Sequence, residues 1–312
     1  MNAQRRLVVI LGPTATGKSA LAINLAEQLG GEVVACDSTQ VYRHFDIGTG
    51  KVPAKQQRGI PHHLVDLVEP DEVFTAGEYR RRAIQVLDDV SRRGKLPIMT
   101  AGTGLYLRAL LEGLADAPER SEELRARLRE RLAKRGAEYL HRLLEKLDPE
   151  AASKIAQRDA QKAIRAIEVC VLSGERVSKL HRRGKAGLQG YAVTKIGLMP
   201  PRDALYARID LRVQEMLDAG WLGEVRRLVG TGVRPTAKPF TFLGYAQLLS
   251  HLQGNLDLKA AIRETQQATR RYAKRQITWF RREKDVHWIQ WFGDDPEAAK
   301  SSLEVIERRA TQ

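Results

Sequence analysis

Cysteine and long apolar runs are both scarce in this sequence of 312 residues. The two cysteines, Cys36 and Cys170, show none of the spacings of zinc sites or disulfide frameworks, so we expect both to be reduced and buried. No apolar run approaches the roughly 20 residues that a membrane helix needs. The short apolar stretch that follows the basic N-terminus lacks the cleavage site of a signal peptide. We therefore expect a cytoplasmic protein that has no membrane partner.

Acidic residues are also in short supply. The chain has 38 aspartates and glutamates against 52 lysines and arginines, which gives a formal net charge of +14. A field of this sign attracts phosphate backbones at long range, although charge that serves solubility alone is the alternative. Hydrophobic residues make up 43% of the chain, which is ordinary for a globular protein and leaves little room for extended disorder.

The first third of the chain alternates strand-like and helix-like segments. The strand-like segments are residues 6–11, 32–36 and 61–70 and the segment "LPIMTAGTG". Helical spacing covers residues 18–29, and a second helix follows Thr75 as its N-cap and stops at Gly94. This alternation predicts an α/β fold of the P-loop NTPase-like type, with a mostly parallel sheet flanked by helices.

The pattern changes in the middle of the chain. Charged helices without strands cover residues 118–186, which predicts an all-helical insertion domain. The strand-like "YAVTKIGL" at 191–198 returns the chain to the sheet, and the rest is predicted to be helical. We therefore expect a catalytic core made of residues 1–117 and 187–312, with basic helices at its C-terminal end.

A glycine-rich loop joins the first strand to the first helix. Its sequence "GPTATGKS", residues 12–19, matches GxxxxGK[ST] in the strand, loop and helix context that the motif requires. Backbone N–H groups and the helix N-terminus would cradle a diphosphate, Lys18 would add a positive charge, and Ser19 could hold Mg²⁺. The predicted diphosphate-binding residues of the loop are Gly12, Thr14, Ala15, Thr16, Gly17, Lys18 and Ser19. A chance glycine loop is the alternative, and the motif does not say whose phosphates bind.

Polar residues follow two other predicted strands. Asp37 comes after the second strand, where it could act as a general base or a Mg²⁺ partner, or only cap a turn with Ser38. The strand "LPIMT" ends in Thr103 and two glycines, without the carboxylate that ATP hydrolysis typically uses. Gly102 and Gly104 suit a close approach of backbone to a bulky ligand, or a plain packing turn.

Basic residues cluster in two further places. Arg202 and Arg208 lie six residues apart, which on a helix separates their Cα atoms by about 9 Å and roughly 120°, so both could reach one diphosphate. Surface arginines are the more common case. The segment 269–284 mixes aromatic residues with cations, which suits contact with RNA, although Trp279 and Phe280 are expected to be core anchors of that helix. The cations are Arg270, Arg271, Lys274, Arg275, Arg281 and Arg282.

A series of motifs resembles a known family. In order, "GPTATGKS", "DSTQVY", "IGTGK", "PHHLVD", "AGTGLY", "RAIEV", "GYAQ" and "AKRQITWFR" are similar to those of the tRNA dimethylallyltransferases, over about residues 7 to 290. The resemblance implies that the loop holds the diphosphate of dimethylallyl diphosphate rather than that of ATP, with Mg²⁺ as cofactor. It also implies transfer of the prenyl group to N6 of the adenosine immediately 3′ of the anticodon in the tRNA anticodon stem-loop. We expect the protein to act as a monomer.

The resemblance assigns roles to individual residues. Asp37 would be the base at N6. The adenosine pocket would include Ser38, Thr39 and Gln40. Thr14, Gly17, Lys18 and Ser19 would bind the diphosphate together with Thr103, Arg202 and Arg208, and Lys18, Thr103 and Arg208 would join Asp37 in catalysis. Contacts to tRNA would come from Gln161, Lys162, Ala163, Ile164 and Arg165, and from Arg270, Arg271, Lys274 and Arg275.

The chain departs from the family pattern in places. It has "GTGKV" where the family has GTAKP, "AGTG" where the family has GGTG, and Lys162 where the family has arginine. Two other functions remain open at this point. A small-molecule or nucleoside kinase would use the loop for ATP and Asp37 for its hydroxyl acceptor, and an RNA-binding NTPase would not catalyse transfer.

Overall fold

The chain divides into two compact units. The computed structural model describes residues 4–183 and 186–310. One unit is Met1–Leu111 with Leu188–Gln312, and the other is Glu112–Gly187. The insertion domain expected over residues 118–186 falls within the second unit, and its status as an independent domain stays a prediction. The first three and last two residues of the expected core, and residues 184 and 185 of the expected insertion, lie outside the described residues.

A parallel sheet forms the centre of the first unit. Its strands are β1 (Arg5–Leu11), β2 (Gly31–Cys36), β3 (His62–His63), β4 (Leu96–Ala101), β5 (Tyr191–Leu198) and β6 (Val286–Ile289). In the described residues the strand order is β3-β2-β4-β1-β5-β6, and each neighbouring pair is parallel. The central strand β1 is apolar on both faces because helices cover both sides of the sheet. The predicted α/β fold is confirmed.

Helices account for most of the remaining residues. In chain order they are α1 (Lys18–Leu29), α2 (Ala76–Arg92), α3 (Gly104–Leu111), α4 (Glu122–Leu147), α5 (Pro149–Lys154), α6 (Ala160–Ser173), α7 (Val177–Arg182), α8 (Arg202–Asp218), α9 (Trp221–Gly230), α10 (Tyr245–Leu252), α11 (Leu258–Phe280) and α12 (Pro296–Ala310). Leu21 of α1 and Ile306 of α12 pack on one face of the sheet. Tyr79 of α2, Leu107 of α3 and Phe280 of α11 pack on the other.

Two predictions of local structure were wrong. Residues 61–70 do not form one strand, because Leu64 and Asp66 adopt left-handed backbone angles, with φ of 63° and 53°, that break the ladder after His63. The end of the chain is not wholly helical, because β6 adds a short strand beside β5. Four residues carry too little periodicity to be distinguished from a loop in the sequence.

The second unit is a small helical assembly with a charged group at its centre. Leu128, Leu140 and Ile167 belong to its apolar core. Glu168 is fully buried beside them and accepts hydrogen bonds from Arg125, Arg165 and the Ser121 N–H. Burial alone would raise the pKa of Glu168, but these donors lower it to about 2. The carboxylate therefore links α4, α6 and the segment before α4.

Both cysteines are free and buried, as predicted. Cys36 ends β2 and Cys170 lies in α6. Burial raises the pKa of the Cys36 thiol to about 12, so this thiol stays protonated and unreactive. Neither residue therefore supplies a nucleophile.

Candidate functional site

The carboxyl ends of four adjacent strands meet at one edge of the sheet. The phosphate loop follows β1, Asp37 follows β2, the Gly102–Thr103 turn follows β4, and the approach to α8 follows β5. Open α/β sheets bind their ligands at this edge because the loops that leave parallel strands converge there. The fold therefore brings together residues that are far apart in sequence, such as Leu11 and Gly197.

The phosphate loop ends at a half-buried helix N-terminus. Gly17 caps α1 with a left-handed φ of 84°, and no side chain of the described residues caps the first N–H groups of the helix. Those N–H groups and the helix dipole favour an anion at this point. Thr16 is fully buried and donates to the Pro13 carbonyl oxygen, so its hydroxyl shapes the loop. Ala15 also packs inward, against Leu205 of α8.

Lys18 is folded over the loop. Its Nζ donates to the carbonyl oxygens of Gly12 and Pro13, at 3.0 and 2.9 Å. Burial lowers the pKa of Lys18 to about 8, Asp37 opposes that shift, and Arg212 adds to it. A buried ammonium that is hydrogen-bonded to two neutral carbonyl oxygens would be stabilised further by a negatively charged phosphate oxygen.

Asp37 presents one carboxylate oxygen as a hydrogen-bond acceptor that is still free. Its Oδ1 accepts from the N–H and the hydroxyl of Thr39, at 2.8 and 2.6 Å. No hydrogen bond to Oδ2 is found within the described part of the chain, and this oxygen faces Gly102, where an added Cβ would lie 2.5 Å away. A glycine at 102 is therefore what leaves room for the carboxylate.

The neighbouring turn holds Asp37 in place. The N–H groups of Gly102 and Thr103 both donate to the Cys36 carbonyl oxygen, and Thr103 Oγ1 accepts from the Ser38 N–H at 2.9 Å. Gln40 donates to the carbonyl oxygens of Thr49 and Gly50 in the "IGTGK" loop. Residues 37–40 thus form an ordered turn beside the phosphate loop.

Gln276 of α11 joins the two halves of the site. Its side chain is 7% exposed, its Oε1 accepts from the Thr14 N–H at 2.9 Å, and its Nε2 donates to the Gly102 carbonyl oxygen at 2.8 Å. One amide therefore fixes both the phosphate loop and the turn that faces Asp37. No local sequence pattern identifies Gln276, because its partners lie more than 170 residues away in the chain.

Arg208 is held next to the phosphate loop by a carboxylate. It forms a two-pronged ion pair with Asp294, at 2.7 and 2.8 Å, and lies over the Phe292 ring. Asp294 is in turn close to Gly17, where an added Cβ would lie 2.9 Å from its Oδ1. Arg208 therefore lies near the phosphate loop through Asp294, and its role as a diphosphate ligand stays a prediction. Asp294 is a further residue that sequence reasoning missed.

The other arginines of α8 differ in their surroundings. Arg202 is exposed at the first residue of α8, with its guanidinium over the Tyr206 ring. Arg212 is half-buried, and burial and Arg208 lower its pKa while Glu215 and Asp37 oppose the shift. Arg212 lies four residues after Arg208, so both side chains lie on one face of α8. This spacing in the sequence could have identified Arg212 as a candidate site residue. Among the described residues Arg212 makes no hydrogen bond or ion pair, so its charge is available to an anion.

The Ser19 hydroxyl oxygen near the start of α1 suits a magnesium ion whose other ligands come from a bound substrate and water. Ser19 Oγ makes no hydrogen bond to another described residue, and Ser19 lines a small cavity with Gln40 and Thr100. In residues 4–183 and 186–310 no group of three or more His, Cys, Asp or Glu could hold a metal ion. Because Mg²⁺ accepts a few protein oxygens plus phosphate oxygens and water, the Ser19 hydroxyl fits as its single protein ligand.

The residues predicted to contact tRNA are only partly exposed. Gln161 and Lys162 are exposed in the first turn of α6, whereas Ala163 and Ile164 are 1% and 7% exposed in the core of the helical unit. Arg165 is bound to Glu168 and the Pro118 carbonyl oxygen. On α11, Arg271, Lys274 and Arg275 are exposed, but Arg270 is paired with Asp210. Of the residues predicted to contact tRNA, only Gln161, Lys162 and the three exposed cations of α11 are fully accessible to it.

None of the described helices is long and apolar enough to cross a membrane.

A parallel α/β core with a phosphate loop, and a carboxylate at the same sheet edge, defines a phosphate-binding protein of the P-loop type. The chain belongs to the IPP transferase family, whose model matches residues 40–283. It is 50% identical over 300 residues to a tRNA dimethylallyltransferase from Solibacter usitatus, covering 96% of this chain and 97% of the relative. A relative of the same name from Koribacter versatilis is 49% identical, with the same coverage.

Solved structures of transferases that act on tRNA are also similar to this chain. A full-length tRNA isopentenylpyrophosphate transferase from Bacillus halodurans superposes with a TM-score of 0.71 at 35% identity, covering 99% of each chain. A eukaryotic dimethylallyltransferase described as acting on tRNA superposes with a TM-score of 0.82 at 27% identity, covering 98% of this chain and 80% of its own.

Proposed function

We propose that this protein transfers a dimethylallyl group from dimethylallyl diphosphate to N6 of the adenosine 3′ of the anticodon in tRNA, and releases diphosphate. The observation that carries the proposal is that the Asp37 carboxylate and the phosphate loop lie at one sheet edge, where Gln276 bonds both the loop and the Gly102 turn that faces Asp37. Membership of the IPP transferase family supports the same activity. The tRNA substrate implies a reaction in the cytoplasm, and we propose that one copy of the chain suffices.

The phosphate end of the site would activate the leaving group. As the allylic C–O bond breaks, negative charge builds on the diphosphate while positive charge spreads over the allyl carbons. Lys18, Arg208 and the N–H groups at the start of α1 would stabilise the departing oxygens. Thr103 and Arg202 would assist from the adjacent loop and helix, and Thr14, Gly17 and Ser19 would line the diphosphate. A Mg²⁺ ion held by Ser19 would neutralise part of the diphosphate charge when bound.

Asp37 would act on the acceptor, the adenosine of the tRNA. The N6 lone pair is delocalised into the adenine ring, so N6 is a weak nucleophile and must lose a proton as its bond to the prenyl carbon forms. Asp37 Oδ2 is the acceptor for that proton, because Oδ1 is occupied by Thr39. The backbone of the ordered turn at Ser38, Thr39 and Gln40 would bound the adenosine pocket. The adenosine must leave its stack to enter this pocket, which costs less in an anticodon loop than in a duplex.

Direct assay tests the proposal. The protein, Mg²⁺, dimethylallyl diphosphate and an anticodon stem-loop RNA should yield RNA that is heavier by one dimethylallyl group on the target adenosine. Omitting the prenyl donor or replacing the target adenosine by guanosine should abolish the product. ATP in place of the donor separates the alternatives, because a small-molecule or nucleoside kinase would form ADP only when its hydroxyl acceptor is added, whereas an RNA-binding NTPase would hydrolyse ATP to ADP without that acceptor. Either result, without prenylated RNA, would contradict the proposal.

A binding experiment separates the two ends of the site. Calorimetry with dimethylallyl diphosphate and with ATP should show a clear preference for the prenyl donor. Lys18→Ala should lose roughly 10²- to 10³-fold in turnover through the diphosphate, as for other electrostatic groups at a transition state. RNA affinity in a gel shift should change little in the same variant. A collapse of RNA affinity with intact donor binding would mean that the loop serves another ligand.

A further inference from the structure

Asp294 lies in a short segment that packs on the phosphate loop. This segment, residues 290–295, connects β6 to α12, and its Gly293 N–H donates to the Thr16 carbonyl oxygen at 2.8 Å. A Cβ at Gly293 would overlap the Gly17 carbonyl oxygen, so the backbone of the segment touches the backbone of the loop. The segment therefore holds a carboxylate beside the end of the loop where the start of α1 favours an anion.

The Asp294 carboxylate binds the guanidinium that is predicted to meet diphosphate. Arg208 donates from both terminal nitrogens, Nη1 and Nη2, to the two carboxylate oxygens. These hydrogen bonds lower the pKa of Asp294, although burial opposes the shift, so the carboxylate is ionised at neutral pH. A guanidinium binds a phosphate group with the same planar fork that it uses for a carboxylate. Asp294 therefore occupies the part of Arg208 that a diphosphate would use.

Two other cations near the loop are not neutralised in this way. Lys18 donates to two carbonyl oxygens, and Arg212 makes no hydrogen bond or ion pair with a described residue. Arg208 differs from them because its charge already has a carboxylate partner. A carboxylate and a diphosphate on one guanidinium would also repel each other at short distance. Diphosphate must therefore take Arg208 from Asp294 to gain its full charge.

The ion pair is placed where such an exchange is easy. The side chains of Asp294 and Arg208 are 49% and 34% exposed. Ion pairs this near the solvent are weak, because water solvates the carboxylate when it is released. A diphosphate next to Lys18 offers Arg208 more negative charge than one carboxylate does. The exchange is therefore favourable when diphosphate binds and is readily reversed when diphosphate leaves.

We propose that Asp294 is a competitor built into the site, which exchanges with diphosphate for Arg208 and so sets the affinity of the phosphate loop for diphosphate. The inference rests on the proposed function. When dimethylallyl diphosphate binds, Arg208 transfers its hydrogen bonds from the carboxylate to the diphosphate. After the allyl group has been transferred, the carboxylate takes Arg208 back and the diphosphate product departs more readily.

Calorimetry with inorganic diphosphate and Mg²⁺ tests the proposal. Asp294→Asn keeps the size of the side chain but removes its charge, so Kd for diphosphate should fall roughly 3- to 10-fold. Kd for dimethylallyl diphosphate should fall in the same direction. A general loss of structure would weaken binding, so it cannot produce this gain. Unchanged diphosphate binding in Asp294→Asn would overturn the proposal, and weaker binding would overturn it by showing that Asp294 orients Arg208 for its ligand.

Two further variants serve as controls. Asp295→Asn removes the neighbouring charge, whose Oδ1 accepts from the Glu297 N–H, and should leave Kd for diphosphate within about twofold of wild type. Asp294→Glu keeps the charge and should stay closer to wild type than Asp294→Asn. An equal gain in Asp295→Asn would show that any lost negative charge is enough, which contradicts a specific exchange at Arg208.

A double-mutant cycle connects the effect to Arg208. Arg208→Gln alone should weaken diphosphate binding, because one cation is lost. In that background Asp294→Asn should change Kd by less than about twofold, since the exposed carboxylate then has no guanidinium for which to compete. The same gain in both backgrounds would show general repulsion between Asp294 and the ligand and would overturn the exchange.

Failure of the exchange is distinguishable from failure of the proposed function. If the wild-type protein binds diphosphate and prenylates RNA, but Asp294→Asn binds diphosphate no more tightly, only the exchange is wrong. If the wild-type protein binds neither diphosphate nor dimethylallyl diphosphate, the proposed function is wrong.

Discussion

The proton acceptor is the sharpest prediction at the residue scale. Asp37→Asn keeps the size of the side chain and its hydrogen bonds to Thr39, but the amide oxygen is not basic enough to take the N6 proton. We expect kcat to fall by roughly 10²- to 10⁴-fold and RNA affinity to change only a few-fold. Single-turnover kinetics at saturating RNA and donor measure the effect. Asp71→Asn, at an exposed carboxylate paired with Arg234, is the control. A variant that retained more than about a third of the wild-type rate would show that Asp37 is not the base.

The buried ammonium predicts a pH dependence. Burial lowers the pKa of Lys18 to about 8 in the free protein, and only the protonated form carries the charge that meets diphosphate. Raising the pH through about 8 should therefore reduce kcat/KM for the donor by roughly tenfold per pH unit, and lowering the pH should cause no loss through this group. Lys18→Arg stays cationic and should remove this alkaline limb, although its absolute rate is lower. Persistence of the same limb in Lys18→Arg would assign it to another group.

Gln276 is predicted to position both halves of the site. Gln276→Leu removes both hydrogen bonds and leaves the Thr14 N–H and the Gly102 carbonyl oxygen without their partner. We expect kcat to fall by roughly 10- to 100-fold, since each lost bond of this kind is worth about 1 to 3 kcal/mol. The KM for the donor should rise as well, because the phosphate loop loses its anchor. Gln266→Leu, on the same helix and bonded to the Asp210 carbonyl oxygen, should leave both constants near wild type. A change in melting temperature without a change in kcat would give Gln276 a structural role only.

Local motifs carried most of what the sequence could predict about the site. The phosphate loop, Asp37 and Thr103 each follow a strand, so their convergence at one sheet edge follows from the parallel topology. Gln276 and Asp294 are different, because their importance depends on contacts with Thr14, Gly102 and Arg208 that no local pattern encodes. The sequence predicted both Trp279 and Phe280 as core anchors, but Trp279 is 37% exposed and Phe280 is fully buried. The two are adjacent and equally apolar, and only tertiary packing decides which of them is buried.

At the scale of whole elements, length decided which strands were predictable. The buried strands β1, β2, β4 and β5 have six to eight residues and appear as apolar runs in the sequence. The edge strands β3 and β6 have two and four residues, and their pairing depends on a neighbour that already exists. The helix α2 was predictable at its start because Thr75 accepts a hydrogen bond from the Glu78 N–H, as an N-cap residue does.

The helical unit should depend on its buried carboxylate. Glu168→Ala leaves Arg125 and Arg165 without their shared partner, and we expect the unit to lose about 3 kcal/mol of unfolding free energy. Glu123→Ala breaks an exposed pair with Arg127 and should cost under about 1 kcal/mol. Urea denaturation followed by circular dichroism measures both. Equal small losses in the two variants would contradict a central role for Glu168.

The same group predicts a change with pH. The pKa of Glu168 lies at about 2 in the folded protein, below its ordinary value of 4.5. A depressed pKa stabilises the folded state above the unfolded value, and that contribution is lost as the pH falls through the folded value. The stability difference between wild type and Glu168→Ala should therefore be constant above about pH 5 and shrink between about 4.5 and 2. A difference that grew on acidification would contradict this assignment.

At the scale of the whole molecule, the net charge of +14 predicts how RNA binding responds to salt. The exposed cations Arg271, Lys274 and Arg275 on α11 would bind RNA phosphates and release the counterions condensed on them. If about five phosphates are neutralised, log K for the stem-loop should fall with log salt at a slope of about −4, since each phosphate contributes about 0.7 to 0.9. Gel shifts or anisotropy at a series of KCl concentrations measure that slope. Donor binding measured over the same series should be less steep, because it involves one diphosphate in a partly buried site. A slope near zero for RNA would remove the electrostatic basis of tRNA binding. A triple substitution of the three cations by glutamine should reduce the magnitude of the slope by about two to three units.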